Sequence, residues 1–214
     1  MIKAVLFDLD ETLISGLFLH IKAGKYVHEK YGINITKIPI EIRSHWHGMR
    51  IVDIEQQIID FFELDLNAKD LQKERMEYFL KFVDEVKEKP NATKVIEKLK
   101  AEGYKIALAT SGTKEFAEKV LKQFSWNFDA IVTGDIVSKG KPAPDTFLKA
   151  CELLNVEPKD AVVIEDATHG VSSAKAAGCK CIAIPSANNL KQDLSKADLI
   201  LNGLEEIGKK LNVL

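Results

Sequence analysis

The chain has 214 residues, 46% of them hydrophobic and 29% charged, and its 30 Lys and Arg against 32 Asp and Glu give a formal net charge of −2. That size and balance exclude a disordered chain or a disulfide-stapled miniprotein and predict one domain with a sizeable insertion, or two modest domains. Near-neutral charge provides no basic field for nucleic acid or an anionic membrane, so an anionic ligand has to be held by a local site.

The first run, Ile2-Lys3-Ala4-Val5-Leu6-Phe7, is short, apolar and partly β-branched, which predicts a strand buried on both faces. It runs into Asp8-Leu9-Asp10-Glu11-Thr12. Two carboxylates two residues apart at a strand end are expected to project to the same side. Such a pair serves as nucleophile and acid/base, or as ligands to a hard cation. Taken alone, the same residues also suit a plain turn or helix start. No apolar run reaches the roughly 18 residues that a membrane-spanning helix needs, and the N-terminus does not read as a signal peptide. Three cysteines make no disulfide framework, so a cytoplasmic protein without a membrane partner is expected.

Residues 17–86 lack a buried-strand run and carry three helical stripes. These are Leu17, Ile21, Gly24 and Val27; Ile51, Ile54, Ile58 and Phe61; and Leu71, Phe79, Phe82 and Val86. Ser15-Gly16 opens this stretch, and Lys87-Glu88-Lys89-Pro90-Asn91 closes it with a helix-breaking proline and a capping asparagine. The pattern predicts a helical cap at residues 15–87 inserted after the first strand, with residues 1–14 and 88–214 as the core. Within the cap, His20, His47 and Arg50 are the candidates for substrate contact. Arg50 is one of three arginines, and its guanidinium suits a carboxylate or a second phosphate as well as it suits solvent. His45 and His47 do not share a helix face and have no further ligands at metal spacing.

From about residue 91 onward, buried-strand runs at 105–110, 130–133, 161–165, 181–184 and 198–201 alternate with helical patterns. Phe116, Val120 and Phe124 form one such pattern, and Phe147, Ala150, Cys151 and Leu154 another. This alternation predicts an α/β fold, a Rossmann-like parallel sheet with helices on both faces and ligands beyond the carboxyl ends of the strands. Three later segments carry polar groups suited to that place. Thr110-Ser111-Gly112 offers hydroxyls and amides for phosphate oxygens, Lys141 sits in the proline-stiffened Gly140-Lys141-Pro142-Ala143-Pro144-Asp145, and Glu165-Asp166 adds oxygen for a divalent cation. Cys179 and Cys181 alternate in an apolar run, which predicts one buried strand face rather than half of a zinc site.

Taken together, Asp8-Leu9-Asp10-Glu11-Thr12, Thr110-Ser111, Lys141 and Glu165-Asp166 resemble the four ordered motifs of the haloacid dehalogenase superfamily, over essentially the whole chain. The segments at 140–145 and Glu165-Asp166-Ala167-Thr168-His169-Gly170-Val171 are most similar to its phosphatases and β-phosphoglucomutase-like members with a helical cap. The resemblance implies Asp8 as nucleophile and Asp10 as acid/base. It implies phosphate contacts from Thr110, Ser111 and Lys141, and Mg²⁺ held by Asp8, Asp10, Glu165 and Asp166. His20 matches a cap histidine of that group. The implied activity is Mg²⁺-dependent hydrolysis of a small phosphorylated metabolite, a sugar phosphate or one like phosphoglycolate, through an aspartyl phosphate, by a monomer or homodimer. The alternative within the family is a β-phosphoglucomutase-like phosphomutase; the alternative outside it is a non-catalytic phosphoacceptor or binding module. Glu11 and Asn91 depart from the pattern, because many relatives have glycine there.

Overall fold

The computed structural model describes residues 1–187 and 192–214. Strand β1 (Ala4–Phe7) is buried throughout. The chain then leaves the core through β2 (Ile14–Ser15) into α1 (Leu17–Lys30), α2 (Ile40–Arg43), α3 (Ile51–Phe62) and α4 (Ala68–Leu80), and returns through β3 (Lys87–Glu88). β2 and β3 pair antiparallel, so the excursion and the return are laced together where they cross. Next come α5 (Ala92–Ala101), β4 (Lys105–Ala109), α6 (Lys114–Phe124), β5 (Ala130–Val132), α7 (Asp145–Leu154), β6 (Ala161–Glu165), α8 (Thr168–Ala176), β7 (Lys180–Ala183), β8 (Leu199–Ile200) and α9 (Ile207–Lys210).

The main sheet has the order β5-β4-β1-β6-β7-β8, with every pair parallel. From β1 the chain winds to one side through β4 and β5, then crosses to β6 on the other. The carboxyl ends of β1, β4 and β6 therefore flank the point where the winding reverses, which is where such sheets leave a crevice. Side-chain alternation explains why both faces are covered. Val5, Phe7, Leu108 and Ile164 pack with Leu99, Phe116 and Val120 on one face. Ala4, Leu6, Ala109 and Val163 pack with Phe147, Ala150 and Val171 on the other. Cys179 and Cys181 are both buried on this second face, as alternate positions of one run should be.

The helical unit forms; α3 buries Ile51, Ile54 and Ile58 of its predicted stripe, whereas the stripe of α1 is turned. In α1 the buried residues are Leu19, Ala23, Gly24, Val27 and His28, whereas Ile21 is 62% exposed. The cause is polar: His28 Nε2 lies 2.9 Å from Glu55 Oε2, and Arg75 Nη1 donates to Glu55 Oε1 at 2.8 Å, so α1, α3 and α4 meet around a buried charged group. A hydropathy stripe does not register such a centre. α3 adds Glu55 and Ile59 to its buried face, while Phe61 near its end is 44% exposed. α4 stops at Leu80, so Phe82 and Val86 lie beyond it, around a short 3-10 turn at Val83–Glu85. Among the described residues no helix is long and apolar enough to cross a membrane.

Candidate active site

The three central strand ends bring the motif residues together. Asp8 follows β1, and its N–H bonds to the Ile164 carbonyl of β6 at 3.0 Å, which fixes the start of the turn beside Glu165. Lys141 enters from the loop before α7 and is 2% exposed. Its Nζ donates to Asp8 Oδ1 at 2.6 Å, Glu165 Oε1 at 2.7 Å and the Ala109 carbonyl at 3.1 Å. Burial alone would push this ammonium's pKa down, but the Asp8 and Glu165 carboxylates hold it above its ordinary value. Burial also pushes the Asp8 carboxyl up to about 8, against the pull of Lys141 and with Glu165 and Asp10 adding to the rise. Two buried acids thus share one ammonium, and added positive charge at this point relieves the imbalance.

Glu165 is held tightly. Its Oε2 accepts the N–H groups of Asp166 at 2.9 Å and Ala167 at 3.0 Å, just ahead of α8. A methyl group at Gly170, in the first turn of α8, would fall 1.7 Å from Glu165 Oε1, so only glycine leaves room for this carboxylate. Asp166 Oδ1 accepts from Thr12 Oγ1 at 3.2 Å. Asp8, Glu165 and Asp166 each offer an oxygen within 4.8 Å of the others, a compact hard-donor set that fits a divalent cation.

Asp10 lies apart from that set. Its Oδ1 is 3.0 Å from His20 Nε2 on α1, and the His20 ring rests 4.4 Å from the ring of Phe79. Asp10 still bears on Asp8, whose carboxyl its charge helps to raise. Thr110 is fully buried, and its Oγ1 accepts the Gly112 N–H at 3.0 Å. Ser111 Oγ donates to the Gly48 carbonyl at 2.7 Å, which brings the 47–50 segment directly over the β4 strand end. His47 contributes its carbonyl to His169 Nδ1 at 3.2 Å, and burial holds its own ring below the usual histidine pKa.

Arg50 sits at the start of α3, where the cap meets the core. Its Nε and Nη2 donate to Asp53 at 2.7 and 2.9 Å, and Nη1 reaches the carbonyls of Gly134, Val137 and Ser138 at 3.3 to 3.4 Å. The guanidinium bridges cap to core. Asp53, in the first turn of α3, was the available signal for this bridge, because an acid three residues on pairs with an arginine.

Sequence reasoning gave no role to Glu11, Lys89, Gly170 or the Gly48 carbonyl. The two departures from glycine now have a common account. Glu11 and Asn91 stand at φ +62 and +67, in the left-handed region that glycine enters without penalty. There a non-glycine side chain costs about 1–2 kcal/mol. Asparagine tolerates this conformation, and Asn91 also donates to Glu205 at 3.2 Å. Glu11 offsets its strain by hydrogen bonds from Gly16, Leu17, Lys89 and Ser186. Burial opposes ionisation of Glu11, yet those donors bring its pKa down to about 2.

Acids, hydroxyls and one buried ammonium at the reversal of a doubly wound parallel sheet define an α/β enzyme with an acid–lysine centre. The haloacid dehalogenase-like hydrolase family model matches residues 5–184, and the chain belongs to that family. It is 34% identical over 225 residues to the phosphorylated carbohydrates phosphatase of Thermotoga maritima, covering 99% of this chain and 98% of that one. It is 35% identical over 213 residues to the bifunctional riboflavin kinase/FMN phosphatase of Arabidopsis thaliana, but spans only 54% of that longer protein. Among solved structures, CbbY from Rhodobacter sphaeroides in complex with phosphate superposes with a TM-score of 0.84 at 28% identity, over 97% of each chain.

Proposed function

We propose that this protein is a Mg²⁺-dependent phosphatase of a small phosphorylated metabolite, a sugar phosphate or a small hydroxy-acid phosphate. The observation that carries the reading is the buried Lys141 joined to both Asp8 and Glu165, with Asp166 beside them. Asp8 is the nucleophile: an oxygen attacks phosphorus, the P–O bond to the leaving group breaks, and an aspartyl phosphate forms. Asp10 protonates the departing oxygen and then takes a proton from the water that hydrolyses the acyl phosphate. His20, paired with Asp10, orients that carboxyl between the two steps. Lys141, Thr110 and Ser111 neutralise charge on the transferring group. Asp8 and Asp166, with the Asp10 carbonyl, would hold the cation, while Glu165, engaged by Lys141 and two amides, orients the set. When bound, Mg²⁺ supplies positive charge that lets an anionic nucleophile approach an anionic ester.

In this division of labour, residues 1–14 and 88–214 carry the chemistry and residues 15–87 select the substrate. A phosphomutase needs a cap cation for the phosphate that is not transferred; Arg50 is occupied by Asp53 and three core carbonyls, which supports hydrolysis instead. The test is phosphate release from a panel of sugar phosphates, phosphoglycolate, glycerol phosphates and nucleotides, with Mg²⁺ and with chelator, beside Asp8→Asn. Metal-dependent release that Asp8→Asn abolishes is the expected result. Interconversion of β-glucose 1-phosphate and glucose 6-phosphate with little free phosphate would overturn hydrolysis in favour of the mutase, and release equal to the Asp8→Asn background would overturn both.

A further inference from the structure

The carboxylate of Glu11 is buried, and it gathers donors from three separate parts of the chain. Oε1 accepts the backbone N–H groups of Gly16 and Leu17, each at 3.1 Å. These donors open α1, and its N-cap residue, Gly16, has no side chain to satisfy them. Oε2 accepts from Lys89 Nζ at 2.8 Å, one residue past β3, and from Ser186 Oγ at 2.6 Å in the loop after β7. Lys89 Nζ also donates to Ser186 Oγ at 3.0 Å, and the Lys89 N–H to the Leu13 carbonyl at 2.8 Å. The outgoing hinge, the returning hinge and the core therefore meet on one anionic group, in a favourable place for negative charge at the start of a helix.

What that junction holds still is visible one turn along α1. His20 N–H bonds back to the Gly16 carbonyl at 3.2 Å, and the His20 ring reaches Asp10 at 3.0 Å. A shift of Gly16 and Leu17 is carried to the His20 ring by the helix itself. We propose that Glu11 is a hinge clamp, a positioning residue that fixes the first turn of α1 against the core and so keeps His20 on Asp10 while the cap is shut. Its kinetic consequence rests on the phosphatase reading; its structural consequence rests on the hinge alone. This also explains a glutamate at a left-handed position: the backbone strain is accepted because the side chain works there.

Glu11→Gly and Glu11→Gln are compared with the wild type by amide hydrogen exchange and by hydrolysis of p-nitrophenyl phosphate in Mg²⁺. Glycine relieves the positive φ, so a defect in Glu11→Gly is not due to backbone strain. Exchange across residues 14–20 should accelerate by about tenfold or more in Glu11→Gly, with β4 and β6 unchanged. In the same variant kcat should fall by about tenfold or more with KM altered far less. Glu11→Gln keeps an acceptor for the two amides but loses the charge facing Lys89, and should fall between the two. Unchanged exchange at 14–20 in Glu11→Gly overturns the clamp whatever the turnover, and exchange raised equally throughout the core overturns it as a general stability effect. Accelerated local exchange with wild-type kcat overturns the positioning of His20. If the wild type hydrolyses no ester, the phosphatase reading fails, while exchange at 14–20 still decides the clamp.

Discussion

Lys141→Met replaces the ammonium that bonds Asp8, Glu165 and the Ala109 carbonyl with an uncharged side chain of similar length. Two buried carboxylates are then left facing one another. Removing one partner of a buried ion pair costs about 3–5 kcal/mol, because the charge that remains has neither water nor counterion. Asp8 already titrates near 8, so proton uptake recovers part of this and the lower figure, about 3 kcal/mol, is expected. In a chain of this size each kcal/mol moves Tm by about 2–4 °C, so the variant should melt roughly 6–12 °C below wild type in chelator. Melting followed by near-ultraviolet circular dichroism, with EDTA and then with Mg²⁺, measures it. Mg²⁺ should raise the midpoint more in the variant than in the wild type, since the cation takes over as counterion to the acids. Turnover of a good substrate should fall about 10²–10³-fold, the usual loss when a transition-state charge partner is removed. A midpoint in chelator within about 2 °C of wild type would refute the energetic account. Turnover within about tenfold of wild type would refute the catalytic one.

Three further outcomes follow from the same geometry. Gly170→Ala drives a methyl group to within 1.7 Å of Glu165 Oε1, so that carboxylate has to leave Lys141. A loss of about 2–3 kcal/mol in urea unfolding, together with a marked fall in turnover, is expected, and wild-type values for both would count against the packing argument. The Glu11 pKa is about 2 in the folded chain against an ordinary 4.5, so its contribution of about 3 kcal/mol is complete above 4.5 and is lost as pH falls toward 2. Denaturation curves for Glu11→Gln should be flatter than wild type across that window, and an identical slope would sink the assignment. Asp8 has the opposite sign. Its pKa rises from 3.8 to about 8, so in chelator its contribution to stability is complete below 3.8 and is lost as pH climbs through 8. Excess Mg²⁺ or Asp8→Asn should remove that decline, and a metal-free protein equally stable at pH 5 and at pH 8 would contradict it.

The sheet was legible because buried parallel strands are written as apolar runs, and the runs at 105–110 and 161–165 became β4 and β6. The candidate site was legible as a list of strand ends, since a doubly wound topology brings those ends to one crevice whatever lies between them. Orientation was not legible. The buried face of α1 includes His28, paired with Glu55, and hydropathy does not register such a pair. The hinge strands escaped notice because two residues each give periodicity nothing to repeat. Arg50 was read by its chemistry alone, whereas Asp53 and a row of core carbonyls decide where it points.

The bond from Ser111 Oγ to the Gly48 carbonyl ties the segment ahead of α3 to the end of β4 through a single proton. On the proposed reading, in which Ser111 also contacts the transferring phosphate, cap and substrate would draw on the same residue. Apparent affinity would then be the intrinsic affinity scaled by the fraction of molecules in which that latch is open.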